Sequence, residues 1–259
     1  MRVLCIGDVI GKPGRKALAG LVPLLRQELR IDIVVANGEN AAAGRGLTRK
    51  TADEIFAASV DVITSGNHIW DDKEIIPHLD TDIPILRPGN YPTDVPGRGI
   101  CSFGGLTVIN LMGRTFMADL DDPFRCADRL LAGVPVGTPI IVDMHAEATS
   151  EKFAMGWYLD GRVSAVVGTH THVPTADQRL LPKGTAFVCD LGMCGPRDSI
   201  IGVDPEPVIR KFLTGMPARF SVAEKSKTVQ FNAVLVDIDE TTGQARSIER
   251  VDREWMIDG

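Results

Sequence analysis

No pair of cysteines in this 259-residue chain has C-x-x-C spacing, and their number is odd: Cys5, Cys101, Cys126, Cys189 and Cys194. Neither a disulfide framework nor a zinc ribbon is indicated, and reduced thiols in a cytoplasmic protein are the expectation. Positive charge is not in excess either, with 28 Lys and Arg against 34 Asp and Glu and a formal net charge of -6. A broad, sequence-independent grip on nucleic acid, which is driven by releasing counterions from many phosphates, is therefore not expected. A small phosphate-bearing ligand in a local site remains open. Long apolar runs are missing: the first, in RVLCIGDVIGKPGR, is cut by Asp8, too early for a signal sequence or a membrane span. The same stretch is not a P-loop, because Gly7 to Gly11 is one residue too short and Pro13 stands where a hydroxyl should follow the lysine. With no G-x-G-x-x-G anywhere, a plain nucleotide-binding α/β module is disfavoured.

What is present is a series of short β-branched runs: Val3 to Ile6, Ile31 to Val35, Val60 to Thr64, Thr107 to Leu111, Ile140 to Met144, Val163 to Val167 and Ala186 to Cys189. Between them lie helical patterns, expected at Gly14 to Arg30 with a kink or break at Pro23, from a capping box at Thr51-Ala-Asp-Glu54, and at Pro123 to Leu131, Ser150 to Tyr158 and Pro205 to Leu213. Strands alternating with helices predict an α/β fold with much parallel pairing. The tail reads as one hairpin, TVQFNAVLVDID and ARSIERVD around a turn at Glu240 to Gly243. No internal repeat or domain boundary is evident, so one domain over 1–259 is expected.

The polar residues gather where these strands end. The first run ends in Gly7-Asp8, the second in Asn37-Gly38-Glu39-Asn40, and the third in Gly66-Asn67-His68; later runs deliver His145, and His170 with His172. In open α/β sheets the carboxyl ends of parallel strands share one rim, where residues distant in sequence converge. Taken singly, Asp8 reads as a helix cap, the Asn-Gly and Gly-Asn pairs as turns, and His145 as a structural histidine. Taken together, four of the five histidines fall in this set, with only His78 outside it. His170 and His172, alternate residues of an extended segment, would offer two imidazoles to one ion. Hard oxygen donors mixed with imidazoles suit iron, manganese, zinc or cobalt rather than calcium. There are too many donors for a single ion, and the set fits two metals about 3.5 Å apart, the arrangement that hydrolyses phosphoesters.

The blocks GDVIGKPGR, NGENAAAGRG, SGNHIWD, DMHAEATSEK and GTHTHVPTAD resemble, in order and over most of the chain, those of the calcineurin-like metallophosphoesterases. Ile10 replaces the histidine usual in that superfamily, and Glu39 with Asn40 replaces its bridging aspartate; both variants are the pattern of the bacterial YmdB-type phosphodiesterases. The resemblance implies a β-sandwich flanked by helices with its active site at the C-terminal ends of the strands. It implies that Asp8, Glu39, Asn40 and His172 hold one metal and that Glu39, Asn67, His145 and His170 hold a second, with Glu39 bridging. Iron is the first metal it suggests and manganese the second.

On this reading the two cations supply hydroxide near neutral pH, and His68 is the general acid for the leaving oxygen. Asp71 or Asp143 would orient an imidazole through its free nitrogen. The family relation points to phosphodiesters, in particular 2′,3′-cyclic nucleotides, with no stable nucleic-acid complex, no membrane partner and room for a homo-oligomer. Lys12, Arg15, Arg45 and Arg114 are candidates for steering a phosphate, and Trp70, Trp157 and Trp255 for an interface or pocket wall. Alternatives are a phosphomonoesterase or nuclease on the same ions, or a regulatory binding protein in which the metals stabilise a surface.

Overall fold

The structure is a computed structural model in which residues 1–257 are described. In chain order the elements are β1 (Arg2–Ile6), β2 (Asp8–Val9), α1 (Gly11–Glu28), β3 (Ile33–Asn37), α2 (Arg49–Ala57), β4 (Val62–Thr64), β5 (Ile100–Phe103), β6 (Leu106–Met112), α3 (Pro123–Leu131), β7 (Ile140–His145), α4 (Thr149–Leu159), β8 (Ala165–Thr169), β9 (Arg179–Leu180), β10 (Ala186–Val188), β11 (Met193–Pro196), α5 (Pro205–Thr214), β12 (Thr228–Phe231), β13 (Ala233–Ile238), β14 (Ala245–Arg250) and β15 (Arg253–Met256). They form a five-stranded sheet, β14-β13-β1-β3-β4, a six-stranded sheet, β5-β6-β7-β8-β10-β9, and a four-stranded sheet, β15-β12-β11-β2. The inner strands β1, β3 and β4 run parallel, as do β6, β7, β8 and β10.

Alternation along the inner strands explains the layering. Val3, Cys5, Val35 and Val62 of the first sheet meet Val108, Ile141, Val167 and Val188 of the second in one core between the sheets. Leu4, Ile6, Val34 and Ala36 point the other way, onto Leu18, Val22 and Ile55 of α1 and α2. Ile109, Val142 and Val166 likewise turn outward onto Cys126, Met155 and Leu159 of α3 and α4. A strand buried on both faces must be apolar at every position, which is why these strands read as unbroken hydrophobic runs. The result is the expected β-sandwich flanked by helices, and the C-terminal ends of its parallel strands open on one edge.

Three local expectations are corrected. Helix α1 starts at Gly11, earlier than Gly14, because Pro13 falls in the first turn, where a missing N–H costs nothing. It runs through Pro23 without a break, with Leu18, Val22 and Leu25 buried on one side of it. The capping box lies at Thr48 and Thr51, whose hydroxyls accept from each other's backbone N–H at 3.1 and 2.9 Å, while Glu54 instead binds Arg15 Nε at 2.6 Å. The long tail strand is cut at Asn232, whose Oδ1 accepts from Met193 N and Gln230 Nε2, sending β12 and β13 into different sheets. Among the described residues no helix is long and apolar enough to cross a membrane.

Candidate metal centre

The edge where the strands end gathers all seven predicted ligands. Asp8 is placed by Gly7, whose absent Cβ would stand 2.1 Å from Gly192 O; that close approach lets β2 pair with β11 and turns the carboxylate inward, fully buried. Its Oδ2 accepts from His170 N at 3.1 Å, and its Oδ1 has no hydrogen-bond partner. Burial pushes this carboxyl up to about 7, against the pull of His172 and His145.

Glu39 and Asn40 sit in the turn after β3, which Asn37 closes by accepting Glu39 N at 3.1 Å. Asn40 donates its Nδ2 to Gly44 O at 3.0 Å, so the amide orientation is fixed and its buried Oδ1 is left bare. Glu39 Oε2 accepts from His68 N at 3.1 Å, and Oε1 lies 3.2 Å from His145 Nε2.

His145, at the end of β7, is the hub. Within about 3 Å of its Nε2 stand Asn67 Oδ1 (3.0 Å), His170 Nδ1 (3.1 Å) and Glu39 Oε1 (3.2 Å). Its other nitrogen is committed: Thr169 Oγ1 donates to Asp143 Oδ1 at 2.7 Å, so His145 Nδ1 donates to that hydroxyl at 2.9 Å. Asp143 in turn accepts from Thr64 Oγ1 and from Asn37 Nδ2 (3.1 Å). The ring is thus held with Nε2 facing three lone-pair donors, and one proton cannot satisfy all of them. Burial favours the neutral ring, but Glu39, Asp8 and Asp143 outweigh it and push His145 up to about 9. His170, desolvated and facing that ring, is pushed down to about 3.

These observations test whether the residues suit a metal. Two buried acceptors without partners, Asp8 Oδ1 and Asn40 Oδ1, and a cluster in which Glu39, His145 and His170 each bring a ligand atom within 4.8 Å of the others are what cation ligands leave when only protein surrounds them. The residues fit divalent metal ions, the donor set being oxygen and imidazole with no thiolate.

One sequence reading is revised. His170 and His172 do not alternate along a strand, since both have positive φ, 101° and 63°. His170 joins the Glu39 and His145 cluster, whereas His172 Nε2 lies 3.9 Å from Asp8 Oδ1 and its Nδ1 donates to Ile201 O at 2.8 Å. The orienting carboxylates also divide: Asp71 Oδ2 lies 2.8 Å from His68 Nδ1, and Asp143 serves His145 through Thr169. Arg15 is engaged by Glu54 and Ala41 O, and Arg114 by Asp122, while Lys12 and Arg45 are exposed. In the sequence Asn37 reads only as a turn residue and Thr64 and Thr169 carry no signal of their own, because buried polar residues at strand ends look like turn or strand chemistry until their partners on the facing sheet are known.

A family model described as YmdB-like protein matches residues 4–251. The chain belongs to the YmdB-like family. A Bacillus subtilis relative named 2′,3′-cyclic-nucleotide 2′-phosphodiesterase is 52% identical over 97% of this chain and 96% of its own. A crystal structure of a hypothetical protein from Thermus thermophilus superposes with a TM-score of 0.91 at 46% identity, covering 98% of this chain and 99% of the other. The calcineurin-like phosphoesterase YfkN of Bacillus subtilis shares the fold, with a TM-score of 0.55 at 13% identity over 99% and 90% of the two chains. In this YmdB-like chain, then, the calcineurin-like phosphoesterase fold comes with a polar centre suited to metal.

Proposed function

We propose that this chain is a metal-dependent phosphodiesterase acting on 2′,3′-cyclic nucleotides as a single domain. Asp8, Glu39, Asn40 and His172 hold one ion, and Glu39, Asn67, His145 and His170 a second, with iron the first candidate and manganese the next. The observation that carries this reading is the convergence of Glu39, Asn67 and His170 on His145 Nε2, together with the unpaired buried oxygens of Asp8 and Asn40 at the same strand ends. Similarity to the Bacillus subtilis enzyme supports the substrate class.

The bound ions would supply an activated water at neutral pH and offset the charge of the phosphoryl oxygens. The chain's own groups do the rest. Glu39 fixes the loop carrying the acid by accepting His68 N, and Asp71 accepts from His68 Nδ1, so that the transferable proton of the imidazolium sits on Nε2. As the water oxygen bonds to phosphorus and the bond to the 2′ oxygen breaks, that proton passes to the 2′ oxygen. The product is a 3′-phosphate and the ring is left neutral. Thr169 and Asp143 keep His145 in the tautomer whose Nε2 faces the centre.

The test is metal content by mass spectrometry on gently purified protein, together with hydrolysis of bis-p-nitrophenyl phosphate, p-nitrophenyl phosphate and 2′,3′-cyclic nucleotides before and after chelation. About two equivalents of metal per chain, with cyclic diesters preferred over the monoester and activity restored by re-adding metal, is the expected result. Preference for the monoester would replace the phosphodiesterase with a phosphatase. A chain without metal or turnover under any added divalent ion would favour a binding protein.

A further inference from the structure

The segment His170-Thr171-His172 leaves β8 with two non-glycine residues in positive-φ backbone, a conformation that side chains with a Cβ adopt only when their surroundings impose it. What lies beneath the segment is a buried ion pair. Lys152, from α4, places Nζ 2.7 Å from Asp190 Oδ2, and the two residues are each 1% exposed. The same oxygen accepts from Thr171 Oγ1 at 2.8 Å and Thr171 N at 3.2 Å, while Oδ1 accepts from Gly192 N at 2.8 Å. Arg250 holds the backbone from above through Asp190 O and Leu191 O at 3.3 and 2.7 Å. Room for the lysine stem comes from Gly168, where a Cβ would lie 1.7 Å from Cys189 O and 3.0 Å from Lys152 Cδ.

Burying a lysine and a carboxylate costs desolvation that an apolar pair of similar volume avoids, so stability alone does not account for the pair. Its reach does. We propose that Lys152 and Asp190 are positioning residues: through Thr171 they fix the turn that aims His170 at the Glu39 and His145 cluster and His172 at Asp8. This rests on the metal-centre reading above. One clamp sets one histidine for each ion, so disturbing it weakens both sites together.

The experiment compares the full chain with Thr171→Val, which removes one hydroxyl and leaves the charges paired, and with Lys152→Met/Asp190→Asn, which removes both charges. Manganese alone is titrated by calorimetry, circular dichroism reports folding, and amide hydrogen exchange is followed without metal. Both variants are expected to fold, to bind manganese at both sites roughly 10- to 100-fold more weakly, and to exchange the backbone amide at position 171 faster than wild type even before metal is added. Wild-type affinity in folded variants, or a loss confined to one site, overturns the clamp. If the double variant does not fold, Thr171→Val decides alone. Wild-type protein that takes up no manganese or iron sinks the metal-centre reading itself, and the clamp with it, before any variant is made.

Discussion

Asp71 Oδ2 lies 2.8 Å from His68 Nδ1, three residues along the same loop, and so sets which nitrogen of the ring is free. If His68 protonates the leaving oxygen, His68→Ala should lower kcat on 2′,3′-cyclic nucleotides by roughly 10²- to 10⁴-fold, the usual contribution of a general acid. Nitrophenolate leaves without a proton, so the loss on bis-p-nitrophenyl phosphate should be much smaller. Asp71→Asn should fall between wild type and His68→Ala, with KM nearly unchanged. Equal losses on both substrates would point to a damaged site instead of a missing acid.

Gly66 gives a second prediction. A Cβ there would stand 2.1 Å from His145 Cδ2, 2.2 Å from its Nε2 and 2.4 Å from Glu39 Oε2. These are the ends of side chains at the centre and not packed backbone, so the strain in Gly66→Ala falls on His145 and Glu39. Metal uptake and turnover should collapse while circular dichroism stays that of the wild type. A variant that keeps two equivalents of metal would show that His145 and Glu39 are free to move.

A stability prediction lies far from the centre, in the β13–β14 turn. Asp239 accepts from Thr241 Oγ1 and N at 2.6 and 2.9 Å and from Arg246 at 3.0 Å, which holds its carboxyl down to about 2. A carboxyl depressed on folding stabilises above its unfolded value, about 3.9, and that contribution is lost as pH falls toward the folded value. Asp239→Asn should therefore melt below wild type at neutral pH, and the gap should close as the pH drops from about 4 toward 2. A gap that persists at the acid end would assign the effect to lost side-chain geometry, not charge.

These residues also show what the sequence made legible. The candidate donors Asp8, Glu39, Asn40, Asn67, His145, His170 and His172 stood out because each follows an apolar run, and runs buried on both faces are easy to recognise. The polar network that orients them was not visible. It depends on two sheets facing each other, so that Asn37 and Thr64 of one meet Asp143 and Thr169 of the other. Lys152 was hidden for the same reason: in TSEK it reads as a solvated helix residue, and only the packing of α4 against β8 puts it beside Asp190. The misplaced capping box and the split tail strand are errors of a different kind. There, a competing polar partner, Arg15 for Glu54 and Met193 N for Asn232, decided between local readings that the sequence leaves equal.

The buried carboxylates make the metal question one of stability as well as catalysis. Asp8 and Glu39 are 0% and 1% exposed, and Asp8 Oδ1 has no donor from the protein, so within the chain alone the Asp8 charge is poorly compensated. Two consequences should run in opposite directions. Metal should raise the melting temperature of the wild type in a concentration-dependent way, a single site contributing about 2.7 kcal/mol at a hundredfold excess over Kd. Asp8→Asn, which removes the charge while keeping the shape, should melt higher than wild type in chelator and lower than wild type in saturating manganese. Calorimetric scans of both proteins with and without metal would check this crossing. If Asp8→Asn melts below wild type in both conditions, the protein itself compensates the Asp8 carboxylate, and its bare oxygen is no sign of a ligand.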